Sequence, residues 1–249
     1  MRSGMISSPL LRCEALEVRD CPAAQIFQFG GYVLVAGDAA ANNVLINDLG
    51  NGRLAVVADN KFEVRTNVHT VIVATGGGDD SVSYNLFGAA SAANLVSIAT
   101  GAGNDSISLN GTALNDSLTV GVNAGIGDDD ISANLGGVPL GATVNLFLSG
   151  SAGADSFDLN ASGEVDGALN VRANGGGGAD TLSGDIDVAA GSTGTVTAIL
   201  AGSFGDDFLD LSVTGAGLSG IGLTAEIRGG LGFDTGVSTA NVVEVGIEA

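Results

Sequence analysis

From about residue 75 onward, hydrophobic and polar positions alternate in short runs that recur at intervals of 24 to 27 residues. In each recurrence an apolar side chain stands at every second place, as in Val82 and Tyr84, Ile107 and Leu109, or Phe157 and Leu159. That period of two predicts a strand with one face buried. A second strand closes each unit: Leu95 to Ile98, Leu118 to Val122, Val144 to Leu148, Leu169 to Val171, Val196 to Leu200 and Leu223 to Ile227. Small, variable segments such as 88–93 and 136–141 join the two and absorb the drift in period. Upstream, the runs Tyr32 to Val35, Val44 to Ile46, Leu54 to Val57, Phe62 to Val64 and Val68 to Val73 read as strands, punctuated by turns at Asn42-Asn43, Asn51-Gly52 and Asp59-Asn60.

The joint from the second strand of one unit to the first strand of the next is a Gly-rich turn ending in Asp. It occurs seven times, with its last residue at Asp80, Asp105, Asp129, Asp155, Asp180, Asp207 and Asp234. Self-similarity at a period of roughly 20 to 50 residues marks a stacked architecture. The expectation is an all-β parallel β-solenoid with about 25 residues per coil, two or three short strands in each, and about eight coils in all. Residues 1–25 form a polar N-terminal segment, 26–75 one or two degenerate capping coils, and 76–249 a body of seven coils. Two residues after the Asp an apolar side chain appears in six of the seven units, and Gly236 breaks the rule in the last. Five residues after it stand Asn85, Asn110, Asn134 and Asn160, then Asp185 and Ser212. This second column predicts a sharp corner, either as an amide ladder from coil to coil or as a simple turn preference.

Composition sharpens the picture in two respects. The chain is 45% hydrophobic with 41 glycines, which favours a packed core over disorder. It also carries 28 acidic against 8 basic side chains, a formal net charge of -20. Such a surface repels nucleic acid and anionic lipid, whose affinities are carried by Lys and Arg. No apolar run reaches the length of a membrane span. Stacked carboxylates one strand apart repel by roughly 0.8 kcal/mol per pair in water, so the Asp column calls for compensation. Calcium shared between successive turns supplies it, because hard oxygen ligands suit that ion and glycine lets the backbone turn its carbonyls inward. Alternatively each Asp serves its own turn as a backbone hydrogen-bond acceptor.

The turns Thr-Gly-Gly-Gly-Asp-Asp-Ser-Val at 75–82, Gly-Gly-Gly-Ala-Asp-Thr-Leu at 176–182 and Gly-Gly-Leu-Gly-Phe-Asp-Thr at 229–235 resemble the GGxGxDxUx repeat of RTX calcium-binding proteins. The resemblance implies a right-handed coil, Ca2+ as cofactor, and the seven turn Asp as ligands. It adds the carbonyls of the turn glycines Gly78, Gly103, Gly127, Gly153, Gly178, Gly205 and Gly232. The chain departs from that family in having one such turn per coil rather than one every nine residues. Asp79, Asp128 and Asp206, one place before the turn Asp, read as solvated side chains.

A catalytic site finds little material. Across the regular coils the basic residues are Arg172 and Arg228, at different places in their units, while His69 and Tyr84 stand alone. No nucleophile set, His metal cluster or phosphate loop can be assembled from them. The segment from Leu11 to Ala23, with Leu16-Glu17-Val18-Arg19 and Pro22-Ala23, resembles one that begins many exported proteins of planctomycete bacteria. It implies an extracellular or cell-surface protein, with surface or matrix components as partners, although the same residues also suit a short amphipathic helix ended by Pro22. Cys13 and Cys21 allow a local loop or a bond between chains and do not fix the redox compartment. The oligomeric state is left open.

Overall fold

The computed structural model describes residues 24–87, 94–111, 114 and 116–248. The N-terminal segment with its two cysteines, and the variable segment 88–93, lie outside them.

The body is a two-sheet parallel β-solenoid. One strand of each coil joins the first sheet: β6 (Thr70–Gly77), β8 (Leu95–Ala102), β10 (Leu118–Ile126), β12 (Thr143–Ala152), β14 (Ala168–Gly177), β16 (Thr195–Phe204) and β18 (Gly222–Leu231). The other joins the second sheet: β7 (Ser81–Leu86), β9 (Ser106–Gly111), β11 (Asp130–Leu135), β13 (Ser156–Gly163), β15 (Thr181–Val188), β17 (Phe208–Thr214) and β19 (Thr235–Ser238). Neighbours in each sheet pair in parallel, with equivalent residues of successive coils in register, as in Val82↔Ile107, Ile107↔Ile131 and Ile131↔Phe157. The stack makes about six turns of about 26 residues, fewer than the eight coils expected. Upstream, several strands read as coils pair antiparallel instead.

There, β2 (Tyr32–Ala36) and β3 (Asn43–Asp48) add one more layer in parallel to β6 and β7. β1 (Gln25–Phe29) folds back antiparallel on β2, and β4 (Arg53–Ala58) and β5 (Lys61–Thr66) extend β3 as an antiparallel meander. Two tight loops enforce this: Asn51 and Gly52 hold φ of 55° and 73°, and Asp59 holds 50°, the left-handed conformations that hairpin turns require. Side chains directly opposite in an antiparallel pair share a face. Lys61, Glu63 and Arg65 therefore face inward with their partners Ala58, Val56 and Leu54. Glu63 pairs with Arg65, Lys61 Nζ donates to the Ala24 carbonyl at 2.9 Å, and Gln28 Nε2 donates to the Thr66 carbonyl at 2.8 Å. This polar lid closes the core and blocks the edge against a further strand.

Between the sheets lies a core of Val, Ile, Leu and Ala. The expected inward positions are buried throughout, from Val82, Ile107 and Ile131 to Phe157, Leu182 and Leu209. Each such side chain contributes about 1.5–3 kcal/mol by leaving water. Gly236 takes the same place in the last coil, where Ile247 comes within 3.3 Å of where its Cβ would stand and covers the gap. β20 (Val243–Val245) then pairs with β18, placing Glu244 beside inward-facing Ile227, and Ser238 Oγ donates to Glu244 Oε1 at 2.6 Å. Both ends of the core thus finish in polar contacts.

The Asn column is not a corner. Asn85, Asn110, Asn134 and Asn160 lie inside strands on the outer face of the second sheet. An amide ladder does form there, from Asn85 to Asn47 at 3.1 Å, Asn110 to Asn85 at 2.9 Å and Asn134 to Asn110 at 3.4 Å. It stops at Asn160, whose amide donates to Asp158.

Candidate functional site: a column of buried aspartates

In every coil the strand of the first sheet runs on through the first residue of the turn, a glycine in five coils and Ser151 or Ser203 in the other two, because its ladder bonds continue there. Gly78 N–H donates to the Ala102 carbonyl, and Gly103, Gly127, Gly153, Gly178 and Gly205 repeat the bond one coil further on, at 2.8–2.9 Å. The chain bends only over the two residues before the Asp, and the strand of the second sheet starts immediately after it. The seven Asp are brought together as one column on this edge, each no more than 2% exposed.

Their hydrogen bonds run between coils. Oδ1 of Asp105 accepts the backbone N–H of Asp80 at 2.8 Å, and the same bond links Asp105 to Asp129, Asp129 to Asp155, Asp155 to Asp180, Asp180 to Asp207 and Asp207 to Asp234 at 2.8–3.1 Å. In the same gaps each Asp carbonyl accepts the N–H of the residue that follows the next Asp, from Ser106 to Asp80 through Thr235 to Asp207, at 2.8 Å. The column has a defined beginning and end. Asn42 N–H donates to Asp80 Oδ1, and Glu248 Oε2 accepts Asp234 N–H, each at 2.7 Å. A carboxylate accepting from an amide forms one of the stronger hydrogen bonds available to a protein.

Asp79, Asp128 and Asp206 add a second, exposed set of bonds in the opposite direction. Asp79 Oδ1 accepts from Asn104 N–H, Asn104 Oδ1 from Asp128 N–H, Asp128 Oδ1 from Ala154 N–H and Asp206 Oδ1 from Phe233 N–H, at 2.8–3.0 Å. These side chains are exposed to solvent, as expected, and one oxygen of each also stitches its turn to the next.

The other carboxylate oxygen is different. Oδ2 of all seven Asp is buried without a hydrogen-bond partner. In the later coils it occupies the space that a side chain five residues earlier would fill: a Cβ on Gly150, Gly175, Gly202 or Gly229 would stand 2.0–2.4 Å from Oδ2 of Asp155, Asp180, Asp207 or Asp234. Those four glycines, preceded in the column by Thr75, Thr100 and Ala124, form a small-residue register visible in the sequence. Burial pushes the Asp129 carboxyl up to about 6, against the Asp105 amide that holds it down, with the charges of Asp155, Asp105 and Asp128 adding to the rise. Asp155, Asp180 and Asp207 shift the same way, chiefly by burial. Asp80 follows for the same reason, offset in part by the Asn42 amide, while the neighbouring Thr75 hydroxyl donates to the Thr100 carbonyl.

This donor set falls short of a calcium shell. Calcium takes six or more oxygens at about 2.4 Å. Each gap between coils offers one buried carboxylate, whose Oδ1 is already bonded to an amide and whose Oδ2 faces the interior, and the exposed Asp79, Asp128 and Asp206 are likewise bonded to amides. The carbonyl oxygens of Gly78, Gly103, Gly127, Gly153, Gly178 and Gly205 stand 1.5–2.2 Å from where the Cβ of the next turn's glycine would lie, so backbone presses on backbone there. No group of three or more His, Cys, Asp or Glu among the described residues is placed to hold a metal ion.

The basic and aromatic residues that could serve catalysis are scattered. Tyr84 is buried, its hydroxyl donating to Asp48 Oδ2 at 2.6 Å, while His69 is exposed with its ring edge-on to Tyr32. Arg228 pairs with Glu226 at 2.7 Å on the outer face of the first sheet, and Arg172 lies exposed on that face. No helix among the described residues is long and apolar enough to cross a membrane. The chain matches no protein-family model, no curated protein and no solved structure.

Proposed function

We propose that the chain is a non-catalytic structural rod of the cell surface or extracellular space, its coils locked to one another by the aspartate column without a metal ion. The observation that carries this reading is the bond from each Asp amide to the next Asp carboxylate, which satisfies at every coil the donor that an ion would have left unpaired. The extracellular assignment rests on the resemblance of residues 11–23 to exported proteins. Calcium binding at Asp80, Asp105, Asp129, Asp155, Asp180, Asp207 and Asp234 is a second reading. It is favoured by the seven partnerless Oδ2 atoms and by the resemblance to RTX turns. In that reading the turns open enough for Oδ1 to exchange its amide for the ion.

Thermal unfolding followed by circular dichroism separates the two. In chelator the rod is expected to melt cooperatively, and millimolar calcium is expected to leave the midpoint unchanged. Ligand held at 100 times its Kd would add about 2.7 kcal/mol for a single site. A calcium-dependent rise in midpoint, with bound calcium detected by calorimetry, would replace the metal-free rod by the calcium reading.

A further inference from the structure

Of the nine phenylalanines, only Phe157 lies in the core; the other eight are exposed. Four of the eight fall in two patches, while Phe62, Phe87, Phe147 and Phe208 lie elsewhere. On the outer face of the first sheet at the N-terminal end, Phe27 and Phe29 stack with ring centroids 6.4 Å apart, and Tyr32 stands directly opposite Phe29. At the far end, on the turn edge, Phe204 and Leu231 are in register on β16 and β18, and Phe233 follows two residues later. Phe29 is 67% and Phe233 78% exposed, each beside further exposed apolar side chains, and contiguous apolar surface of this kind marks an interaction site.

Charge says what such a partner is. Residues 24–74 carry three basic and four acidic side chains, whereas residues 75–248 carry two basic and 21 acidic. Two rods meeting flank to flank set acid against acid, and self-repulsion opposes the contact. The near-neutral N-terminal end is the part of the described chain that can approach an acidic coil without that cost. The inward-facing Lys61, Glu63 and Arg65 at one end and Glu244 at the other prevent a seamless continuation of the sheets, so the contact is made by side chains.

We propose that the rod associates head to tail with further copies of itself, the Phe27–Phe29–Tyr32 patch of one copy covering the Phe204–Leu231–Phe233 patch of the next. Two different patches on one molecule give a heterologous contact, which generates an open chain rather than a closed dimer. Aromatic anchors of this type dominate interface energies, so removing two from one patch raises the concentration for half-assembly by about tenfold or more.

Sedimentation velocity of the full chain in chelator, over a range of concentrations, is the test. The unaltered protein is expected to grow beyond the dimer as concentration rises, and more readily at high salt, which screens the acidic flanks. Phe27→Ser with Phe29→Ser, and separately Phe204→Ser with Phe233→Ser, are expected to give monomers that melt as the unaltered chain does. An equimolar mixture of the two variants keeps one intact patch of each kind and is expected to form dimers that grow no further. An unaltered protein that stays monomeric at every concentration overturns the proposal. So does a C-terminal-patch variant that still assembles alone, because that outcome assigns the contact to like patches.

Discussion

Acidification from pH 7 to pH 5 in the presence of chelator is expected to raise the melting temperature of the rod. The cause is the buried column. Asp129 titrates at about 6 in the fold against its ordinary 3.8, so between those values the folded chain holds a proton that the unfolded chain has released. Stability then falls as pH rises through 6 and is recovered as pH falls toward 3.8. Asp129 alone contributes about 1 kcal/mol between pH 7 and pH 5, or roughly 2–4 °C for a chain of this length. Asp80, Asp155, Asp180 and Asp207 add in the same direction, and pH 5 stays above the isoelectric point of about 4.1. Asp129→Asn keeps an oxygen for the Asp105 amide while removing the charge, and it is expected to flatten the pH profile by the share of one carboxyl. Asp129→Ala instead leaves that buried amide without an acceptor, at a cost of about 1–3 kcal/mol at every pH. A midpoint that drops on acidification over this range would mean that the carboxyls are held charged, and the metal-free column would fall with it.

Gly205→Ala is expected to cost about 3 kcal/mol or more and to show in the same melting experiment. The new Cβ would stand 1.5 Å from the Gly178 carbonyl oxygen, on a residue whose φ is +132°. Neither fault can be relieved by a rotamer change, because the obstacle is backbone that is itself fixed by ladder bonds on both sides. Gly121→Ala supplies the control. That glycine lies on the outer face of β10 with nothing within 4 Å of a new Cβ, so the substitution is expected to be neutral or stabilising by about 0.5–1 kcal/mol. Equal midpoints for the two variants would refute the close approach of successive turns.

The solenoid was legible in the sequence because its two signals, the apolar alternation and the Gly–Asp period, reinforce each other in every coil. Val82, Ile107 and Ile131 could be placed inside from spacing alone, and they are. The antiparallel cap was less legible, since β4 and β5 carry the same alternation as the coils. Left-handed residues such as Asn51, Gly52 and Asp59 mark the reversals, but the pairing partner of a strand is not written in its own pattern. The turn Asp were identified as a column from their register, but the direction of each carboxylate depends on the coil above it. Asp79 and Asp128 are solvated as their sequence suggests, but the neighbouring amide that each also holds is not legible there for this reason. The terminal acceptor escaped notice for a related reason. Glu248 lies 14 residues after Asp234, outside the period, and its longer side chain reaches the same donor from a different backbone position.

The column also bears on how the chain can change its length. Every coil receives a bond from the coil before it and gives the same bond to the coil after it, while Asn42 starts the series and Glu248 closes it wherever they fall. A whole coil can be lost or duplicated without leaving an amide or a carboxylate unmatched. Excision of residues 130–155, for example, would bring the amide of Asp129 to the carboxylate that Asp155 now meets, that of Asp180. Inheritance can therefore set the span of this rod in whole increments, with its two ends unaltered.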